Sequence, residues 1–435
     1  MNPQSKFRCP TGTRDLDQAD IFIRNYITNI AKKCFQNCGA IQIDTPVIEL
    51  YENIKKLYGE EFNKSVYKLR DDTEDLILRY DLTVPFARYV ASKGLSVFRR
   101  YQIGNVYRLD EPQISKGRYL AFQQADFDIA GSDQGSGIFD MEILKLADNL
   151  LSQLLGKNFK IRLNDKSIIR QYLTKFGIED DIFSTVCSSI DKLDKRTVVE
   201  ICDELKTKGL DVIIIEKIRK FINDIAPSNN KLGYLLEHDL IDKKSHDNLD
   251  KFISQIDSEC VVFDPLLARG LDYYTGIIYE AYYNDSNVMQ SAICAGGRYD
   301  NLIGVFSNQG QIPAIGLSLG IDRIVRILEE KHFDISDSSK KVYVCSIGKN
   351  MVPDRVKLCT ELRKRDVCAI MSYLENPKMK SQFDDVFNNK IEYMVIIGES
   401  EIKQGLIKIK TISSKLEETF DRDKGIIEIV SRVNK

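Results

Sequence analysis

The chain has no tryptophan and just three histidines, His238, His246 and His332, among 435 residues. Their spacing matches no metal-ligand pattern, and none of them is assigned to catalysis. No apolar run approaches the roughly 20 residues that a membrane span needs; the run 212–215 is followed at once by Glu216 and Lys217. Residues 1–14 lack the apolar core of a signal peptide and the Arg- and Ser-rich pattern of an organelle-targeting segment. The expected location is therefore the cytoplasm, with no membrane partner. Ten cysteines are dispersed without a Cys-x-x-Cys pair, which argues against a disulfide framework. Cys34 and Cys38, one helical turn apart, read as small helix residues. There is no Gly-x-x-x-x-Gly-Lys-Ser/Thr loop, which argues against a P-loop nucleotide site. A net charge of −2 gives no global basic signal, so any contact with nucleic acid falls to local Lys/Arg patches.

What is present is ordinary globular material, 43% hydrophobic and 29% charged, enough for several cores. Residues 17–39 carry apolar side chains at helical spacing, with Asp17 to cap the start and Gly39 to end it. Short runs at 41–48, 66–69, 76–80, 96–106 and 120–129 alternate with turns, the pattern of a mostly antiparallel sheet. A helix is expected over 139–155 and a strand over 160–163. Residues 166–258 turn Lys/Asp/Glu/Ile-rich with helical spacing and read as an insertion. Strands resume over 260–319, and a helix begins near Gly320. After a polar linker at 336–341, strands at 342–347, 367–373 and 392–397 alternate with helices at 352–364 and 378–389, and a further strand lies at 405–411. That alternation predicts a sheet at least partly parallel. The expected fold is an α+β catalytic domain on an antiparallel sheet (1–165 and 259–335), a helical insertion domain (166–258), and a C-terminal α/β domain (342–435).

Five clusters carry chemistry. In 98–128, FRRYQIGNVYRLDEPQISKGRYLAFQQADFD, two strand-like halves flank a polar turn, and a hairpin aims Arg108 and Arg118 at one anion. Arginine suits phosphate because its fork gives paired, charge-assisted hydrogen bonds. Phe122, Gln124, Asp126 and Asp128 then alternate on one strand face; a carboxylate there is a natural acceptor for an imidazole N–H. In LRYDLTVPFAR, Asp81 and Thr83 share a strand face suited to an ammonium group. In ARGLDYYTGIIYE, Arg269 and Gly270 precede Tyr273 and Tyr274. In AGGRYDNLIGVF, two glycines let backbone approach a ligand closely. In AIGLSLGIDR, Arg323 falls in the first turn of a helix, where an anion gains from both arginine and helix terminus.

These clusters resemble the three motifs of class II aminoacyl-tRNA synthetases: 45–49 the dimer-interface motif, 98–128 the second and 314–323 the third. ARGLDYYTG and AGGRYD are similar to the signature peptides of the histidyl-tRNA synthetase family, in its eukaryotic form. The C-terminal stretch resembles that family's anticodon-binding domain. The resemblance implies ATP-dependent activation of L-histidine and transfer to tRNA(His) by a homodimer, with Mg2+ accompanying ATP and no assigned metal ligands. It implies that Asp81 and Thr83 hold the α-amino group, with Gln124 nearby, that Asp128 and Tyr274 read the imidazole, and that Tyr273 and Tyr299 line that pocket. Arg108 contacts the α-phosphate, Phe122 and Asp110 the adenine, and Arg118 and Arg323 the outer phosphates. Arg269 is the implied catalytic residue, assisted by Arg108 and Gln124. Asp322 stands where a glutamate is more usual. The alternative within the same resemblance is a non-catalytic paralogue acting in regulation or uncharged-tRNA sensing.

Overall fold

The computed structural model describes residues 7–55, 57, 65–95, 97–114, 117–132, 137–268, 273–307, 310–332 and 341–434. The chain divides into two compact units, Met1–Phe333 and Asp334–Lys435. In the first, helix α1 (Gln18–Asn37) starts at Asp17, whose carboxylate closes a capping box with Asp20. An eight-stranded sheet follows. Its strands in chain order are β1 (Ile41–Gln42), β4 (Phe98–Tyr107), β5 (Ala121–Ala130), β6 (Phe159–Asp165), β7 (Val261–Phe263), β8 (Ile277–Tyr283), β9 (Cys294–Arg298) and β10 (Ala314–Gly320). In space they run β1-β4-β5-β10-β9-β8-β6-β7. The β1/β4 and β6/β7 pairs are parallel and the others antiparallel. A separate two-stranded sheet pairs β2 (Ile48–Leu50) with β3 (Leu76–Leu78).

The large sheet has two unlike faces because side chains alternate along each strand. Tyr101 of β4, Ala125, Phe127 and Ile129 of β5, and Ile315, Leu317 and Leu319 of β10 point into one apolar core. The helices α1, α4 (Ile138–Leu155) and α11 (Ile321–Glu330) cover that face. The intervening residues, Arg100, Gln124, Asp126, Asp128, Gly316 and Ser318, fall on the opposite face. Burying one face thus fixes the register of the polar row on the other.

Residues 166–256 fold as six α-helices: Lys166–Phe176, Asp180–Ile190, Val198–Thr207, Val212–Ile225, Lys231–Glu237 and Lys243–Ile256. Their core extends to Leu267, Ala268 and Ile278, so the helical segment packs on the sheet region rather than standing alone. The second unit has a five-stranded sheet ordered β12-β11-β13-β14-β15: Ala369–Met371, Val342–Ile347, Tyr393–Gly398, Leu406–Thr411 and Glu417–Asp421. Strand β11 is parallel to both neighbours, while β14 is antiparallel to both of its own.

Several expectations change at their edges. The run 41–48 splits into β1 and the start of β2, and 66–69 contributes a single bridge, Lys68 with Ile77. Asp81 and Thr83 do not share a strand: β3 ends at Leu78, and Thr83 opens helix α3 (Thr83–Lys93). Pro85 in the first turn suits a helix start, where no N–H is needed. In the second unit, β15 and the final helix Arg422–Asn434 complete the fold beyond the strands expected. Linker positions 336–340 lie outside the described residues.

The packed face predicts a separable stability effect. Phe35 of α1 is fully buried, with ring centroids 5.9 Å from Tyr101 and 5.5 Å from Phe127. Phe35→Ala is expected to destabilise the first unit by about 3–5 kcal/mol, read by denaturant unfolding, while the intact protein at low temperature keeps its ligand affinity.

Candidate active site

A cavity of about 750 Å3 opens on the polar face of the large sheet. It brings together all twelve predicted site residues that are described: Asp81, Thr83, Arg108, Asp110, Arg118, Phe122, Gln124, Asp128, Tyr273, Tyr274, Tyr299 and Arg323. Arg269, expected to be catalytic, lies outside the described residues, as does Gly270. A second cavity of about 670 Å3 shares Tyr273 and Tyr274 and is lined by Lys166 and Arg170, but not by Arg108, Arg118 or Arg323.

Strand register gives the cavity two ends. Asp128 lies opposite Gly316, whereas Gln124 lies opposite Gly320, just before α11. From Phe122 to Asp128 a strand advances about 20 Å, so carboxylates gather at one end and arginines at the other. At the carboxylate end, Arg100 is fully buried. Its Nη2 lies 2.5 Å from Asp128 Oδ2 and donates to the Leu82 carbonyl at 2.8 Å. The guanidinium also stacks 4.8 Å from the Phe86 ring centroid. Tyr299 donates its hydroxyl to Asp128 Oδ1. Tyr273 contacts both Tyr274 and Tyr299, at centroid distances of 4.8 and 6.2 Å. Gly316 is required here: a Cβ built on it would sit 1.9 Å from Asp128 Oδ1. Asp81 accepts the Val84 N–H at 3.1 Å, so it caps α3 while lining the cavity.

Burial pushes Asp128 up to about 6, against the opposing pull of Arg100 and Tyr299. Burial raises Asp126 further, to about 7, with Arg100 opposing and Asp128 adding to the rise. Both lie above the ordinary carboxylate value, so ionisation works against folding. The stability contribution of these two groups declines as pH rises from about 4 toward 7. Arg100 and Asp126 carried no role in the sequence reading. The signal for Arg100 is its register: it faces Asp128 across the β4/β5 ladder, a pairing visible once the strands are joined.

At the arginine end, Arg108 donates from Nε to the Tyr80 carbonyl at 3.1 Å. Its guanidinium carbon lies 4.4 and 5.3 Å from the Tyr80 and Phe122 ring centroids. Arg118 pairs with Asp110 across the turn. Arg323, in the first turn of α11, donates to the Ala292 carbonyl. Between the two ends, Gln124 donates to Ser318 Oγ at 2.7 Å. Asp322 points away from the role of a free acid: it accepts from Arg24 at 2.6 Å and from the Gln123 N–H at 2.7 Å. The mouth is reached by Asp191, Asp194 and Lys195 from the helical segment, and Asp194 accepts from Arg162 at 2.7 Å and Tyr282 at 2.8 Å. Such a cavity suits a cationic, N–H-bearing group at one end and a polyphosphate at the other. Among the described residues no group of three or more His, Cys, Asp or Glu side chains is placed to hold a metal ion, and no helix is long and apolar enough to cross a membrane.

The family model for histidyl-tRNA synthetase matches residues 12–324, and that for an anticodon binding domain matches 341–432. A histidine–tRNA ligase of Danio rerio is 36% identical, covering 97% of this chain and 88% of the relative. The cytoplasmic histidine–tRNA ligase of Dictyostelium discoideum is 35% identical (98% and 90%), and the mitochondrial one of Homo sapiens 36% (99% and 89%). The fold matches the crystal structure of histidyl-tRNA synthetase from Nostoc sp. PCC 7120, with a TM-score of 0.76 over 99% of this chain and 100% of that one at 23% identity. With the family matched across most of its length and both ends of the cavity furnished, the chain belongs to the histidyl-tRNA synthetase family.

Proposed function

We infer that the protein is a histidine–tRNA ligase, an enzyme that activates L-histidine with ATP and loads it onto tRNA. The observation that carries the reading is the bipolar cavity, with Asp128, Tyr299 and Asp81 at one end and Arg108, Arg118 and Arg323 at the other. A histidine carboxylate oxygen bonds to the α-phosphorus of ATP as the bond to the departing pyrophosphate breaks. A ribose hydroxyl of the tRNA's terminal adenosine then takes the acyl group and releases AMP. The substrate supplies each nucleophile, so the protein's task is positioning and charge stabilisation.

In this reading Asp128 accepts an imidazole N–H, Tyr274 reads the ring beside it, and Tyr273 and Tyr299 line the pocket. Asp81, Thr83 and Gln124 receive the ammonium group. Arg108, held between the Tyr80 and Phe122 rings, meets the α-phosphate, and Phe122 and Asp110 meet the adenine. Arg118 and Arg323 exchange their protein acceptors for the outer phosphates. Arg269 completes the stabilisation of charge at phosphorus. Mg2+ enters with ATP, held chiefly by phosphate oxygens and water. A side chain without a ring N–H leaves Asp128 desolvated and unpaired, which disfavours other amino acids. The second unit carries the tRNA-reading role through its anticodon-binding fold. The working form is a cytoplasmic homodimer; exposed Ile41 and Ile48, at the β1 edge and in the dimer-interface motif, suit a self-complementary contact. The catalytic core is organised as insertion (166–258) within sheet domain (1–165 and 259–335).

Three outcomes test this. ATP–pyrophosphate exchange is expected with histidine alone among the amino acids. Arg323→Ala and Arg269→Ala should each lower it by about 100-fold or more, the scale of losing one preorganised charge contact; exchange with no amino acid in folded protein would defeat the enzyme reading. Gly316→Ala should displace the Asp128 carboxylate and raise the histidine KM by at least about tenfold with ATP KM little changed, by steady-state kinetics. Because Asp128 is raised to about 6 and must be ionised to accept an N–H, histidine affinity should fall as pH drops through that value. Asp128→Asn should lack this acid limb in a pH titration of binding.

A further inference from the structure

Lys166 has no part in the reading above. It is the first residue of the helical segment, and it lines the second cavity rather than the one that holds Arg108, Arg118 and Arg323. A cation in the first turn of a helix is opposed by the helix dipole, so helix formation does not account for it. Its side chain reaches back to the sheet instead. Nζ donates to the Tyr274 carbonyl at 2.8 Å, and the backbone N–H donates to the Gly276 carbonyl at 3.0 Å.

Strand pairing explains why Tyr274 needs that reach. β6 and β8 run antiparallel, and their last pair is Asp165 with Ile277. Beyond it the chain leaves β6 for a helix capped by Asp165, so the residues just before β8 pass the end of the ladder. Gly276 keeps one rung, to the Lys166 N–H. The Tyr274 carbonyl lies two residues farther on, and the lysine ammonium supplies a charge-assisted donor where the strand no longer runs. On the other side, the Thr275 N–H donates to the Arg298 carbonyl at 2.8 Å and its hydroxyl to Asp300 at 3.0 Å. The Tyr274 ring itself lies over the sheet in the main cavity, where a Cβ built on Gly297 would sit 2.9 Å from it. Asn164, two residues before Lys166 and fully buried, holds the preceding stretch of chain in the same way. Its Nδ2 donates to the Pro265 and Leu267 carbonyls at 3.1 and 2.9 Å.

Building on the histidine reading, we propose that Lys166 is a positioning residue for the amino acid: it holds the backbone of Tyr274 from behind and so places the Tyr274 side chain against the imidazole. Selection of the ring then depends on a residue outside the pocket. The helical segment, through its first residue, carries part of the pocket wall.

The test is ATP–pyrophosphate exchange by the full chain, with histidine and ATP varied in turn. Lys166→Met keeps the length of the side chain roughly and loses the donor. It is expected to raise the histidine KM by about tenfold, the scale of one lost charge-assisted hydrogen bond, with the ATP KM within about twofold. Lys166→Arg, which keeps a cationic donor, should bring the histidine KM back to within about threefold of wild type. In a Tyr274→Phe background there is no hydroxyl left to place, so adding Lys166→Met should change the histidine KM by less than about threefold. An unchanged histidine KM in Lys166→Met overturns the proposal. So does an equal rise in both KM values, the mark of a merely structural role, or a full tenfold effect that persists beside Tyr274→Phe. Should Lys166→Met not fold, Lys166→Gln, uncharged and one bond shorter, is read by the same criteria. Failure of wild type to exchange with histidine at all would instead strike the underlying functional reading.

Discussion

The buried contact between Arg100 and Asp128 is the constraint around which the site is arranged. One guanidinium reaches three groups on two elements: the carboxylate of β5, the Leu82 carbonyl at the start of α3, and the Phe86 ring inside that helix. The turn that presents Asp81 is therefore tied to the strand that presents Asp128. An ion pair this deep is a weak source of net stability, since desolvation offsets attraction, yet removing one partner costs about 3–5 kcal/mol. Its value lies in specificity of position. Two cavity-lining carboxyls on different elements cannot move independently.

The arginine end follows another logic. Arg108, Arg118 and Arg323 already have acceptors in the protein: the Tyr80 carbonyl, Asp110, and the Ala292 carbonyl. Held so, they lose little side-chain freedom when a phosphate arrives. The carboxylate end is strained electrostatically, with burial raising both Asp126 and Asp128, whereas the arginine end is satisfied. In the proposed function, a ligand's cationic group relieves the first, and its anionic group replaces contacts at the second.

Much of this was legible from local pattern. The alternation Phe122, Gln124, Asp126, Asp128 predicts one strand face, and the structure places all four in the cavity. Asp17 and the apolar spacing of 17–39 predict α1 to within two residues at its C-terminal end. The failures share a cause. Residues 76–83 contain strand-like and helix-start signals within a few positions, and where one gives way to the other depends on pairing with β2. Arg100 looks like one of two adjacent arginines in a strand; what sets it apart from half-exposed Arg99 is the ladder to β5, a contact far away in the chain. Short edge elements such as β1 and β15 have too few residues for a periodic signal.

The glycine floor restricts how such a pocket can change. Gly316 leaves room for the Asp128 carboxylate and Gly297 for the Tyr274 ring; any side chain at these positions would meet those groups at 1.9 and 2.9 Å. The floor is already at its minimum size and is occupied from above. Single substitutions there subtract function without offering a new shape, so divergence toward other substrates is channelled to the walls and mouth. The same geometry tells a medicinal chemist where to grow a competitive ligand: outward, toward Asp194 and Lys195 of the helical segment, and not down into the sheet.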